Sequence, residues 1–320
     1  MTTKPQTTKT TNFSTTLRLC KEAGFPDLPG KRLTPNARYN TLKALSLLLT
    51  GLTAPPSDAP VIAEETPTDI RNSWRAIAAR QHGCEALGAR AADSFMNREI
   101  RRQLNRETIA RLTVNQLLGG KAQRKDSPRE IDDDWLDMFA EAAAVKSDPE
   151  LQRMLARMLA GEIRKPGSFS PSAIQAVNWL TRKTADQFRR FCNLSLRSAS
   201  ITFVIISPWP DFRTKGDADL GVKYQDLLDL QCAGLVSPTL SSNLDLSNYL
   251  NRASFAMAER SIVFAQAQLP PPKPPQTDVI LLSPVGHELR PILDLKAHDD
   301  YNTRLTEWFQ SHGITLSTLT

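Results

Sequence analysis

The chain has 320 residues, 40 Lys+Arg against 34 Asp+Glu, a formal net charge of +6, 40% hydrophobic and 23% charged residues. These values suit two globular domains with sizeable cores and exclude a disordered or compositionally biased chain. The small positive excess permits an anionic partner without requiring one.

Four cysteines, Cys20, Cys84, Cys192 and Cys232, stand far apart with no CxxC pair and no His at metal spacing. They read as reduced thiols in a reducing, cytoplasmic compartment. No secretory signal is visible. The first 21 residues are Thr-rich and basic, compositionally like a transit peptide, but a disordered N-terminus covering 1–36 is the preferred reading. The apolar run Leu42 to Ala54 is about thirteen residues, where a spanning helix needs about twenty. It is expected to be a buried or interfacial helix, so membrane association is not favoured. Residues 55–68, with Pro55, Pro56, Pro60 and Pro67, read as a linker.

From Asp69 to about Leu118 the pattern is helical and long, with Gly83 and Gly88 expected to break or kink it. Nine arginines (71, 75, 80, 90, 98, 101, 102, 106, 111) face only Glu85, Asp93, Glu99 and Glu107. Such charges form a solvated face laced with i,i+4 pairs, or an arm laid on nucleic-acid phosphates or on a partner helix. In the second case Arg98, Arg101, Arg102 and Arg106 are the candidate contacts.

Residues 131–194 carry the clearest start and stop signals. Asp132 suits an N-cap with Ile131 and Leu136 as a staple, and Trp135, Met138, Phe139, Ala142 and Val145 share one face. Ser147 with Glu150 makes a capping box before the stripe Leu151, Met154, Leu155, Met158, Leu159 and Ile163. Pro166-Gly167 stops that helix. Ser170 with Pro171 starts a third, presenting Ile174, Val177 and Leu180, and a fourth begins at Thr181 or Thr184. Together they predict a compact bundle. Beyond it the composition turns to α+β: strands at Ile201–Ile206, Ser261–Ala267 and Asp278–Leu282, a helix from Val222 to Ala233 ending at Gly234, a helix after Ser283-Pro284, and a last helix near Asp300–His312. The fold class is therefore mainly α, α+β overall.

Trp135, the run Met158-Leu-Ala-Gly-Glu-Ile163 and the turn Pro166-Gly-Ser-Phe-Ser170 resemble the signature of a bacterial domain family of unknown function, with Leu155 standing where that pattern has Trp. The resemblance implies structural roles for Trp135, Gly161, Glu162, Pro166, Gly167, Ser168, Phe169 and Ser170, and a cytoplasmic bacterial setting. It supplies no catalytic residue. The helical pattern is also similar to the α domain of phage abortive-infection proteins. In residues 195–320, the order helix, Gly234-Leu-Val236, hairpin, Leu282-Ser-Pro-Val-Gly-His-Glu-Leu289 resembles the second half of a winged helix. Some two dozen extra residues, Ser237 to Arg260, interrupt it, and the expected wing tip is proline-rich with one Lys273. A wing aimed at a DNA groove usually carries more cations, and the proline segment suits a protein partner equally.

Catalytic and metal patterns are missing: Gly119-Gly120-Lys121 lacks phosphate-loop spacing, there is no GxGxxG or GxSxG, and His287-Glu288 has no second His four residues on. Asp132-Asp133-Asp134 could bind a cation, but at a helix start the macrodipole favours such a run by itself, so no metal or cofactor is expected. Glu162, near the end of an apolar helix, needs a partner such as Arg164 or a facing backbone amide. The sequence points to a non-enzymatic binding or regulatory protein in phage defence or stress response, with a protein or nucleic-acid partner and a possible homo-oligomer. The alternative is a membrane-associated effector using residues 42–54.

Overall fold

The computed structural model describes residues 13–28, 32–53, 67–120, 127–237, 239–240, 242–246, 249, 254–258, 260–266 and 276–319. Most of the linker at 55–68 and the proline-rich segment with Lys273 lie outside them. The chain divides into two compact units, 1–168 and 169–320.

The first unit is helical. α1 (Ser14–Glu22) lies in the stretch read as disordered; it forms because Thr16 and Cys20 are buried and the Phe13 ring meets Tyr39 of α2 edge-on at 5.7 Å. α2 (Pro35–Thr50) starts at Thr34, whose hydroxyl accepts from the Ala37 amide. Its Ala44, Leu45, Leu47 and Leu48 are buried, and α2 packs on α4 (Glu85–Gly119), α5 (Asp133–Val145) and α6 (Pro149–Arg164). The centre of the apolar run that raised the membrane alternative is thus core, while Leu42 and Leu49 are half-buried, Leu52 is exposed and Ala54 lies outside the described residues. Among the described residues no helix is long and apolar enough to cross a membrane.

α3 (Pro67–His82) turns back on α4 at Gly83, whose φ of 64° suits glycine. Gly83 therefore breaks the long helix, and Gly88 does not. Gly88 sits inside α4, where a Cβ would stand 2.2 Å from the Trp74 carbonyl oxygen, so only glycine allows this close a crossing. Asp132 caps α5 as the sequence predicts, accepting from Trp135 N at 3.0 Å. For α6 the cap is Asp148, not Ser147: Asp148 Oδ1 accepts from the amides of Glu150 and Leu151, while Ser147 Oγ accepts from Asn105 Nδ2 at 3.2 Å. Pro149 at the first helical position makes the residue directly before it the cap. Val145, assigned to the buried face of α5, is 56% exposed because the helix ends there.

The second unit begins with α7 (Pro171–Trp179), capped by Ser170, and α8 (Arg182–Asn193), capped by Thr181. The four predicted bundle helices are therefore split. α5 and α6 bury their stripes with α2 and α4, whereas α7 packs on α11 (Pro284–Leu289) and α8 on α10 (Tyr224–Cys232). The division at 168/169 replaces the expected one at 194/195.

Among the described residues, seven antiparallel strands form one sheet: β1 (Leu196–Arg197), β2 (Thr202–Ile205), β5 (Ser242–Asp245), β6 (Ser254–Met257), β7 (Arg260–Gln266), β8 (Gln276–Leu281) and β9 (Ile314–Leu319), in the order β5-β8-β2-β1-β6-β7-β9. β3 (Gly216–Asp217) and β4 (Val222–Lys223) make a separate pair after the short α9 (Phe212–Lys215). The predicted hairpin between 261–267 and 278–282 does not form. β7 pairs with β6 and β9, and β8 with β5 and β2, because residues 237–260 supply two further strands, β5 and β6. β9 was not foreseen. β2 is buried along its length, and Tyr301 of α12 (Asp299–Ser311) accepts from Ile205 N and donates to Ile205 O through its hydroxyl. Gly286 in α11 passes so close to Leu235 that a Cβ would stand 2.0 Å from its carbonyl oxygen, which explains the glycine in Ser-Pro-Val-Gly.

Candidate functional site

The arginine-rich stretch folds as an arm. α3 packs on the first half of α4, and the second half of α4 enters the unit's core through Asn105, Ile109, Ala110, Val114 and Leu117. The arm's acidic residues are used internally. Arg71 pairs with Asp93 at 3.0 Å and Arg75 with Glu85 at 3.3 Å, each across the hairpin. Arg102 pairs with Glu99 at 3.6 Å and with Glu141 of α5 at 2.5 Å. Arg106 donates from Nε and Nη2 to Gln103 Oε1. Arg111 lies 5.7 Å over the Phe25 ring, and Arg98 lies 5.6 Å over Phe95 and 3.5 Å from Glu99. Arg80, Arg90 and Arg101 are exposed and have no ion pair among the described residues.

Of the predicted contacts, three meet in one place. Arg98, Arg101 and Arg102 line a pocket of about 320 Å³ with Asn105 and the α5–α6 connection, Ala144, Val145 and Ser147. Asn105 fixes its floor, donating to Ala144 O at 2.8 Å and to Ser147 Oγ while accepting from Gln152 Nε2. Burial lowers the Lys146 pKa, against the pull of Asp148. Arg106 is turned to Gln103 and does not line this pocket. Lys273 is outside the described residues.

Near the arm's tip a second, almost wholly apolar groove of about 420 Å³ runs between the helices, lined by Trp74, Ile77, Ala78, Gln81, His82, Leu87, Gly88 and Ala91. Ile77 remains 51% and Leu87 42% exposed. Composition gave no sign of it, because α3 has to fold back on α4 before those residues share a surface. The apolar periodicity of residues 74–95 was the only trace.

The residues of the family-like motif lie mostly in buried packing and backbone hydrogen bonds. Trp135 is buried and stacks on Phe139 at 5.4 Å. Gly161 lies within α6, and Pro166 is buried. Glu162 is buried, and its two carboxylate oxygens accept from the amides of Gly167 and Ser168, the backbone answer to its charge. Gly167 has φ 84°, and Ser168 Oγ donates to Lys165 O. In the second unit Phe169 is buried, and Ser170 donates from N and Oγ to Glu288 Oε2 at 2.7 and 2.8 Å. Arg164 instead donates to the Gln116 and Leu117 carbonyls and lies over Gly120, where its guanidinium would have to shift to admit a Cβ.

A family model described as a protein of unknown function, DUF2806, matches residues 89–306. The chain belongs to the DUF2806 family. No curated protein and no solved structure matches this DUF2806 chain. The matched span of the DUF2806 chain holds the arginine-lined pocket but leaves α3 outside.

The second unit of the DUF2806 chain has a cavity of about 500 Å³ beside Ala258, Arg290, Leu293 and Lys296. Arg290 is buried and already committed: Nε donates to Ser195 Oγ at 2.6 Å, and Nη2 to the carbonyls of Ser195 and Ala256. Burial draws its pKa down to about 10. Thr202 Oγ1 and His287 Nδ1 lie 2.7 Å apart, and burial together with Arg197 lowers the His287 pKa. Among the described residues no group of His, Cys, Asp or Glu could hold a metal ion.

Proposed function

We propose that this chain is a non-enzymatic binding or regulatory protein whose α3–α4 arm contacts a protein partner. The observation that carries the reading is the arm's surface: large apolar side chains stand exposed beside arginines whose acidic neighbours are spent on internal pairs. Aromatic residues and arginine over an apolar floor are the composition of protein interfaces, whereas nucleic-acid binding relies on cations free to meet phosphates. A role in phage defence or stress response rests on the sequence resemblance. The lipid-touching alternative loses most of its surface, because Ala44, Leu45, Leu47 and Leu48 of α2 are buried.

A nucleic-acid reading has one observation in its favour. In the second unit, α8, β2, α9, α10, β5 and β8 follow in the order of a winged helix, with strands arranged β5-β8-β2. Chemistry opposes it at the helix that would enter a groove: α10 has no Lys or Arg and carries Asp226 and Asp229. Hydrogen bonds from Gln225, Gln187 and Lys183 hold Asp229 down to about 2, so it stays anionic. A salt series of binding to duplex DNA, single-stranded DNA and RNA separates the two readings. No binding at low salt is expected; micromolar binding that weakens steeply with salt would establish nucleic acid as the partner.

A further inference from the structure

The apolar groove and the arginine pocket occupy one face of the arm. At 3.6 residues per turn, Leu87, Ala91, Ser94, Arg98, Arg101 and Asn105 fall along a single stripe of α4, and the pairs Arg71–Asp93 and Arg75–Glu85 fall on the opposite face. On the groove face, Arg80 lies about 60° outside Ile77 on α3 and Arg90 about 60° outside Leu87 on α4, forming a basic rim. The stripe from Leu87 to Asn105 spans about 27 Å at 1.5 Å per residue.

We propose that this face seats an amphipathic helix of about eighteen residues with an apolar stripe flanked by Asp or Glu, borne by a partner protein. The apolar stripe enters the groove between Ile77 and Leu87, beside the close crossing of Gly88 on the Trp74 and Arg75 backbone. The acidic flanks meet Arg80, Arg90 and Arg101, which lack ion pairs among the described residues, and Arg98 at the pocket. Charge decides the occupant. A second copy would bring two arginine rims together, and a nucleic acid would leave Trp74, Ile77 and Leu87 facing phosphates.

The inference rests on the arm being the contact surface. The test uses three fluorescein-labelled synthetic helical peptides with one common leucine stripe and flanks of Glu, Gln or Lys, titrated by anisotropy against the full chain at low salt. The Glu peptide is expected to bind at least about tenfold tighter than the Gln peptide, with the Lys peptide weakest. Ile77→Asp with Leu87→Asp, folded by circular dichroism, should abolish binding. Arg90→Glu with Arg101→Glu should reverse the order of the Glu and Lys peptides. Absence of Glu-peptide binding, indifference to flank charge, or insensitivity to the groove substitutions overturns the assignment. So does a sedimenting dimer that Ile77→Asp dissociates. Failure of the peptides without salt-dependent nucleic-acid binding removes only the groove; nucleic-acid binding lost in Arg101→Ala removes the protein-partner reading as well.

Discussion

Replacing Glu162 with Gln tests whether the buried carboxylate is a clamp on the turn after α6. Both carboxylate oxygens accept from backbone amides, Gly167 N and Ser168 N, and the residue is 3% exposed. Gln keeps the volume, so no cavity contributes. It keeps only one acceptor and points an NH₂ at the other amide. One charge-assisted hydrogen bond, about 1.5–3 kcal/mol, is lost, and a buried N–H is left unsatisfied at about 1–3 kcal/mol. Since the two costs overlap, a destabilisation of about 3 kcal/mol is expected. Urea unfolding gives the global figure, and hydrogen exchange at residues 167 and 168 gives the local one, since a chain of two units need not unfold in one step. A Glu162→Gln protein within about 0.5 kcal/mol of wild type, with unchanged exchange at those amides, would refute the clamp.

Gly88→Ala puts a methyl group 2.2 Å from the Trp74 carbonyl oxygen and should loosen α3 from α4 at a cost of about 1–3 kcal/mol; faster exchange confined to residues 67–98 would show it, and uniform exchange would contradict it. His287 takes up its proton in the unfolded chain at a higher pH than in the folded one, because burial and Arg197 lower its pKa from 6.5. The unfolded state therefore binds more protons just below pH 6.5, and stability should fall as pH drops through that value. His287→Gln should flatten that slope in urea midpoints measured between about pH 7.5 and 5; an unchanged slope would assign it elsewhere. Arg290→Lys replaces the separate Nε and Nη2 that reach Ser195 Oγ and two carbonyls with a single nitrogen and should cost about 2–3 kcal/mol by urea unfolding.

Helix starts were legible where a cap acts locally. Asp132, Ser170, Thr181 and Ser283 each accept from the amide three residues on, a signal contained in a few positions. The same locality explains the slip at Ser147, because Asn105, 42 positions away, claims its hydroxyl. Strand pairing was not legible. β8 meets β2 and β5 through contacts set by the 237–260 insertion, and a period-two pattern names a strand without naming its neighbour. α1 was hidden by a polar composition that still buries Thr16 and Cys20. Of the candidate site, Arg98, Arg101 and Arg102 were named from charge, but the groove at Ile77 and Leu87 depended on the turn at Gly83 bringing two helices together.

The proposed function turns on the arm contacting a protein. Its most direct test is quantitative co-purification of the full chain and its variants from cells that make it. Arg101→Glu with Leu104→Asp, both exposed on α4, should remove the recovered protein, while Trp179→Ser, at an 84% exposed position in the other unit, should retain it. Recovery lost in Trp179→Ser and kept in the arm variant, or recovery of nucleic acid in place of protein, would contradict the account.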